Sequence, residues 1–148
     1  MTDVSIGPAR RDELPRILEL LEVVGLPPDG LANHLSTTLL ARRGVRVVGS
    51  AALEFYGPAA LLRSVAVKRD LRSTGLGRQL TGAALELSRH LDVEEAYLLT
   101  ERVDLFFPRF GFRPVPRFEV PRSVRSSVEF TSACPASARA MVLDLRAG

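Results

Sequence analysis

Two glycines and two arginines stand where an apolar, strand-like run gives way to a helical pattern. The run Val65-Ala66-Val67 is followed by Arg72-Ser73-Thr74-Gly75-Leu76-Gly77-Arg78. Glycines at a helix start let the backbone approach a ligand closely, and the first N–H groups of a helix have no partners within it. With the helix dipole and the two arginines, these groups are suited to bind a phosphate or pyrophosphate. The same residues also fit a tight strand-to-helix turn with solvated arginines, and spacing alone leaves both interpretations open.

The apolar periodicity predicts the elements that position this segment. We expect a first helix that has Asp12 as its N-cap and ends at Gly25, and a long amphipathic helix over 76–91. Shorter helices are predicted over 29–35 and 105–110. Strands are predicted over 4–6, 38–41, 46–55, 61–67, 96–100, 112–120 and 140–145. Hairpin-linked first strands and intervening helices predict a mixed sheet with helices on both faces.

Composition narrows the class of protein. The 148 residues fit a single domain over 1–148, and one cysteine, Cys134, allows no intrachain disulfide. With two histidines beside it, no metal site is expected. No apolar run approaches the roughly 20 residues that span a bilayer, so the sequence predicts a cytoplasmic protein that is not in a membrane. Basic and acidic residues nearly balance, at 20 and 17, and argue against nucleic-acid binding.

Two segments together carry a resemblance to a known family. The first is Arg72-x-x-Gly75-x-Gly77 after the strand ending at Val67. The second is Phe106-Phe107-Pro108-Arg109-Phe110-Gly111-Phe112. The first is similar to the acetyl-CoA motif of the GNAT family of N-acetyltransferases, and the second is similar to that family's late helix–Gly–Phe segment. Segments 60–67, 97–100, 120–130, 134–138 and 141–145 further resemble the arsenic-resistance N-acetyltransferase group and the acetyltransferase domain of N-acetylglutamate synthase.

The resemblance implies an α/β fold with a mixed, mostly antiparallel sheet of about six to seven strands, flanked by helices. The fourth and fifth strands of such a sheet separate into a notch that holds the pantetheine arm of acetyl-CoA. Backbone groups of Val65 to Val67 are then expected to bind that arm, and the segment 72–78 to bind the pyrophosphate. The family transfers the acetyl group directly from the thioester to an amine, without an acyl-enzyme.

The catalytic residues depart from the family's pattern. The tyrosine that commonly protonates the leaving thiolate corresponds here to Phe107, which would contact the cofactor but cannot donate a proton. The family's frequent glutamate in the fourth strand maps near Leu61 to Arg63, where no carboxylate stands. Glu54 and Glu101 are the substitutes that we consider as general base, and a solvated strand-end carboxylate is the alternative for each.

We expect a small-molecule amine as the acceptor, and Arg63 is the candidate that would recognise it. This arginine interrupts an apolar strand, where it could clamp a carboxylate or else point outward to pair with a helix carboxylate. Ser137 and Arg139 fall near positions where glutamate-acetylating relatives bind their acceptor. An amino acid or a similar compound is therefore the first choice of acceptor. A protein or peptide amine, another small amine, or a CoA-binding sensor without turnover are the alternatives.

The sequence does not determine the oligomeric state of the protein. Dimers are common in the family, which implies a homodimer as one option. The apolar pair Phe118 and Val120 would then lie at the interface.

Overall fold

The computed structural model describes residues 3–102 and 106–147. The strands are β1 (Val4–Pro8), β2 (Thr38–Arg43), β3 (Arg46–Tyr56), β4 (Ala59–Val67), β5 (Glu95–Thr100), β6 (Arg113–Val115) and β7 (Arg139–Asp144). The α-helices are α1 (Leu14–Val24), α2 (Leu76–His90) and α3 (Arg122–Arg125). Short 3₁₀ turns cover Arg11–Glu13, Leu31–Thr37, Arg69–Leu71, Phe107–Phe110, Arg117–Glu119 and Leu145–Ala147, and a π-helix covers Glu129–Ala133. Within these described ranges, no helix is both long enough and apolar enough to cross a membrane.

The strands form a seven-stranded sheet in the order β1-β2-β3-β4-β5-β7-β6. The sheet is mostly antiparallel, and β4 pairs with β5 in parallel, through Ala59–Glu95 to Leu61–Tyr97. The predicted mixed sheet with flanking helices is thus confirmed. The recorded parallel pairing ends at Leu61 and Tyr97, although β4 runs on to Val67 and β5 to Thr100.

The chain divides into two compact units, each made of two stretches of sequence. The first unit is Met1–Leu53 with Ser64–Ala84, and the second is Glu54–Arg63 with Leu85–Gly148. Residues of β3, β4 and α2 therefore belong to both units. The single domain and the strand notch stay predictions.

In the first unit, apolar side chains of α1 pack against the early strands. Ile17, Leu20 and Leu21 recur at helical spacing and are buried. Their cluster also contains Leu31, Leu40, Val47, Ala52 and Ala66. Gly25 ends α1 in the left-handed region, at φ 80°, as the sequence predicted.

One glycine of the first unit allows close packing between α2 and β3. A Cβ built at Gly49 would lie 2.8 Å from Leu80 Cδ1 and 3.2 Å from the Ala66 carbonyl oxygen. A side chain at this position would therefore displace its neighbours. This contact fixes α2, and with it the segment that leads into the helix.

In the second unit, β7 lies between β5 and β6. It pairs with β5 from Glu95–Asp144 to Thr100–Arg139, and with β6 from Arg113–Val142 to Val115–Ala140. The unit's apolar cluster contains Ala59, Leu61, Tyr97, Val120, Val124, Ala140 and Val142. Hydrophobic side chains of the second unit are thereby removed from water.

Three sequence-based expectations are corrected. Asp12 is not the N-cap of α1, because a 3₁₀ turn over Arg11–Glu13 precedes that helix. The strand predicted over 112–120 is only Arg113–Val115, since Pro114 and Pro116 lack the N–H that a longer ladder requires. The apolar pair proposed for a dimer face is split: Phe118 is 76% exposed, but Val120 is 1% exposed and belongs to the core. A homodimer stays a prediction.

Candidate active site

The segment between β4 and α2 is shaped by two left-handed residues. After β4 the Lys68 N–H bonds to the Val48 carbonyl at 2.8 Å, and a 3₁₀ turn follows. Ser73 has φ 74° and Gly75 has φ 86°. Thr74 Oγ1 donates to the Leu71 carbonyl at 2.6 Å, which fixes the turn before α2 begins at Leu76. Left-handed backbone costs a non-glycine residue free energy, so this conformation is held by its surroundings.

The start of α2 has the properties of an anion site. The first turn of the helix carries no acidic residue, and Arg72 and Arg78 beside it are exposed. The helix has 15 residues, and its first N–H groups and dipole favour negative charge at this end. These features are those of an anion site, and binding of the CoA pyrophosphate by residues 72–78 stays a prediction.

The second half of β4 carries a strained residue. Ser64 has φ 56°, in the left-handed region that a residue within a strand rarely adopts. Its carbonyl accepts a 2.7 Å hydrogen bond from the buried Ser50 Oγ. Val65 and Val67 follow it and are partly exposed, whereas Ala66 is buried. Strained backbone of this kind is enriched at functional sites.

Arg63 lies in the second unit, between two carboxylates. Its Nη1 is 2.8 Å from Glu54 Oε2, and its Nη2 is 3.2 Å from Glu129 Oε2. The exposed fractions of these side chains are 0% for Arg63, 1% for Glu54 and 7% for Glu129. The arginine therefore has buried carboxylate partners on β3 and on the π-helix Glu129–Ala133. The sequence had offered an outward-facing arginine or a substrate clamp, and the clamp stays a prediction.

A tyrosine and a cysteine extend this ion pair at its two ends. The Tyr56 hydroxyl donates to Glu54 Oε1, and Cys134 Sγ donates to Glu129 Oε1 at 3.2 Å. Burial, and next the neighbouring Glu54 carboxylate, raise the pKa of Tyr56 to about 12. Burial and the Glu129 carboxylate likewise raise the pKa of Cys134 to about 12. Both groups keep their protons at neutral pH, so Cys134 is a poor nucleophile.

The other candidate base, Glu101, lies near both residues that were predicted to bind the acceptor. Ser137 Oγ donates to Glu101 Oε1 at 2.7 Å, and both residues are exposed. Thr100 pairs with Arg139 at the end of the β5–β7 ladder, and Glu101 is the next residue after Thr100. Ser137 and Arg139 line a cleft of about 500 Å³, formed by residues 114–117 and 136–140.

Arg117 holds the two walls of this cleft together. Its Nη2 donates to the Ala138 carbonyl at 2.6 Å and to the Pro135 carbonyl at 3.0 Å. Its guanidinium also lies over the Phe130 ring, at 5.9 Å from the centroid. Arg139 is exposed, and no ion pair of it is recorded in the part of the chain that the structure describes. The cleft thus presents an arginine that can bind a carboxylate.

Phe107 is buried among other aromatic rings. Its ring centroid is 4.8 Å from Phe106 and 6.0 Å from Phe112, and the residue is 6% exposed. Gly111, at φ 102°, ends this 3₁₀ turn as predicted. The first part of the predicted helix, at Leu105, lies outside the described residues. Phe107 offers only apolar contact, and it leaves open which group protonates a departing thiolate.

Three residues of the site were missed at the sequence level: Tyr56, Glu129 and Arg117. The only signal for Glu129 was Arg63 itself, since a charged residue in an apolar strand requires a buried partner. The partner is 66 positions away in the chain, so the sequence alone does not identify it.

The family of the chain is shown by comparison with known proteins. The model of the acetyltransferase (GNAT) domain matches residues 34–114, which is more than half of the chain. The match includes the loop 72–78 and the ion pair of Glu54 with Arg63. The protein therefore belongs to the GNAT acetyltransferase family, as the two sequence motifs predicted.

A relative and two solved structures extend this finding. The chain is 28% identical over 97 residues to an uncharacterized N-acetyltransferase of Chlorobaculum tepidum, a match that covers 65% of this chain and 62% of the relative. It thus spans less than two thirds of that relative's length.

N-acetylglutamate synthase of Neisseria gonorrhoeae, solved with CoA and N-acetyl-glutamate, has a TM-score of 0.81 at 21% identity, over 98% of this chain and 36% of that one. The PaiA N-acetyltransferase of Thermoplasma acidophilum, solved with CoA, has a TM-score of 0.72 at 14% identity, over 96% and 99% of the two chains. At these identities the two structures support the fold.

Proposed function

We propose that this protein transfers the acetyl group of acetyl-CoA to the amine of a small amino acid or an amino-acid-like compound. The observation that carries the proposal is the loop 72–78, which fits a pyrophosphate and lies within the span matched by the acetyltransferase family. Val65 and Val67 supply partly exposed strand backbone for the pantetheine arm. A cytoplasmic location remains part of the proposal.

The chemistry requires an oriented amine more than a reactive enzyme group. When an amine is held against the thioester carbonyl, proximity accounts for much of the increase in the rate of acetyl transfer. A backbone N–H of β4 would stabilise the developing oxyanion, and a carboxylate would take the proton of the ammonium ion. Glu54 and Glu101 are the candidates for this base. Positioning and electrostatics then lower the activation free energy of the transfer, without a covalent intermediate on the protein.

The acceptor is proposed to bind in the cleft of residues 114–117 and 136–140. Arg139 is exposed there and can bind a carboxylate, while Ser137 and Glu101 offer a hydrogen-bonded pair that can orient an amine. The acetylated amino acid bound by the Neisseria gonorrhoeae synthase motivates amino acids as the first acceptors to test. The Arg63 guanidinium is buried between two carboxylates, so Arg139 is the first residue to test for binding of the acceptor carboxylate, and the Arg63 clamp stays a prediction.

A CoA-binding sensor is the second candidate function. It is favoured by Phe107, which stands where a proton-donating tyrosine is common in the family and which is packed among aromatic rings. A sensor would bind CoA through the loop 72–78 without transferring the acetyl group.

The test is thiol release from acetyl-CoA in the presence of free amino acids, polyamines and short peptides. We expect turnover with an amino acid, and a KM for that amino acid at least tenfold higher in Arg139→Gln, from the loss of about 1.5–3 kcal/mol of a charged hydrogen bond. Arg122→Gln, an exposed arginine on α3 outside the cleft, is the matched control and should behave like the wild type. Turnover only with peptides would favour a protein acceptor, and CoA binding without any turnover would favour the sensor.

A further inference from the structure

Five side chains of the second unit form one continuous chain of polar contacts. Tyr56 donates to Glu54, Arg63 bridges Glu54 and Glu129, and Cys134 donates to Glu129. The guanidinium in the middle is wholly buried. Arginine does not lose its proton in proteins, so Glu54 faces a permanent positive charge. This arrangement fixes both oxygens of the Glu54 carboxylate, one by Arg63 and the other by the Tyr56 hydroxyl.

Tyr56 is the partly exposed neighbour of Glu54 in this chain. Glu54 itself is 1% exposed, which makes the Tyr56 hydroxyl the candidate contact between Glu54 and a ligand. The Tyr56 ring packs on the apolar cluster that includes Ala140, as does Val115. Val115 and Ala140 also line the acceptor cleft. Tyr56 and two residues of the cleft lining thus share one apolar cluster of the second unit.

Glu129, the second carboxylate of the chain, is a neighbour of a residue that contacts the cleft lining. Glu129 precedes Phe130, and the ring of Phe130 lies under the guanidinium of Arg117, which lines the cleft. The Glu129 backbone N–H donates to Ser127 Oγ at 3.2 Å. Glu129 is thus fixed in position by contacts on both sides. Glu129 can therefore fix the position of the Arg63 guanidinium, and that guanidinium can fix the position of the Glu54 carboxylate.

We propose that Tyr56 relays the proton of the acceptor amine to Glu54, and that Arg63 and Glu129 are positioning residues of this relay. The inference rests on the proposed function and names the base of that same reaction. In the step, the ammonium ion gives a proton to the Tyr56 oxygen while the Tyr56 hydroxyl proton passes to Glu54 Oε1. The freed lone pair of the amine forms the bond to the carbonyl carbon, and the carbon–sulfur bond breaks.

The remaining protons balance as follows. The nitrogen loses its second proton to the CoA thiolate, through water, and Glu54 returns its proton to solvent before the next cycle. The raised pKa of Tyr56 suits this role, because the hydroxyl keeps its proton between turnovers and always has one to pass on.

The test is the pH dependence of turnover in Tyr56→Phe, which removes the hydroxyl and keeps the ring. We expect kcat to fall by about 100-fold at neutral pH, with the KM for acetyl-CoA unchanged within about twofold. The loss should shrink as pH rises, because the amine then loses its proton to solvent. Glu54→Gln should show the same pattern, and Glu129→Gln a smaller loss of kcat with the KM retained.

The control is Tyr97→Phe, at the other tyrosine of the chain. Its hydroxyl also donates to a carboxylate, at 3.2 Å from Glu95 Oε1, and burial together with Glu95 also raises its pKa to about 12. This variant should keep the wild-type kcat and pH profile. A Tyr56→Phe enzyme with wild-type kcat and pH profile would overturn the relay while leaving the proposed function intact. A wild-type protein that binds CoA and releases no thiol with any amine would overturn the proposed function, and the relay with it.

Discussion

The ion pair of Glu13 and Arg42 in the first unit predicts how stability depends on pH. Arg42 Nη2 lies 2.6 Å from Glu13 Oε1, and Arg42 Nε lies 2.7 Å from Glu13 Oε2, so the contact is bidentate. The Arg10 N–H also bonds to Glu13 Oε1, at 2.8 Å. The Glu13 side chain is 1% exposed. The bond from Arg42, followed by the other contacts, lowers the pKa of Glu13 from 4.5 to about 2 against the opposing effect of burial.

The magnitude follows from this lowered pKa. A carboxyl that titrates at 4.5 when unfolded and at about 2 when folded adds roughly 3 kcal/mol to the free energy of unfolding at neutral pH. Since the folded pKa is the lower one, this stability is present above about pH 4.5. It is lost as the pH falls from 4.5 toward 2, because the unfolded chain takes up the proton in this range while the folded protein does not, and the loss is complete once the folded protein is protonated too.

The assay is urea unfolding of the wild type and of Glu13→Gln at several pH values. We expect the variant to be less stable by about 2 to 3 kcal/mol at pH 7, and the difference to shrink below pH 4.5 and to vanish near pH 2. Glu19→Gln, at an exposed position of α1, is the matched control and should change stability by less than about 0.5 kcal/mol. A difference between wild type and Glu13→Gln that stays constant from pH 7 to pH 3 would refute this account of the pair.

Three further predictions concern packing, the cofactor loop and the free thiol. Gly49→Ala should destabilise the protein by about 1–3 kcal/mol, because the new methyl group meets Leu80 at 2.8 Å, and an unchanged urea midpoint would contradict this packing. Gly75→Ala should cost about 1 kcal/mol of stability and also weaken CoA binding in calorimetry. The control Gly25→Ala, at a similar φ, should cost the same stability and leave CoA affinity unchanged. Equal CoA affinities of Gly75→Ala and Gly25→Ala would argue against CoA binding by the loop 72–78. Cys134, with its pKa raised to about 12, should react with iodoacetamide at pH 8 at least about 100-fold more slowly than a free cysteine, and rapid labelling would count against its bond to Glu129.

Much of the fold could be predicted from local patterns. The helix 76–91 agrees with α2 (Leu76–His90) because its apolar face repeats over four turns, and Gly25 and Gly111 end their helices at the positive φ that glycine favours. The errors fall where local signals compete. The prolines of 112–120 limit β6 to three residues, and a 3₁₀ turn takes the place of an N-cap at Asp12. No sequence signal marked the π-helix Glu129–Ala133, which local propensity does not specify.

The candidate site was predictable to the extent that its residues are neighbours in sequence. The segment 72–78 follows from one strand, one turn and one helix start, all within a short stretch. The group around Arg63 could not be predicted in the same way, because it is assembled from β3, β4 and the π-helix. The arginine indicated a buried partner, but the identity of that partner depends on how distant segments pack.

The most direct test of the central claim is the mass of the product formed from acetyl-CoA and a pair of acceptors that differ only at the carboxylate, an amino acid and its carboxamide. We predict that the amino acid gains one acetyl group, and that the carboxamide is acetylated with a kcat/KM at least about tenfold lower, because a charged hydrogen bond to Arg139 is lost. Equal acetylation of the two acceptors would contradict an arginine-bound carboxylate. The absence of acetylated product from any amine, with CoA bound, would contradict the transferase itself.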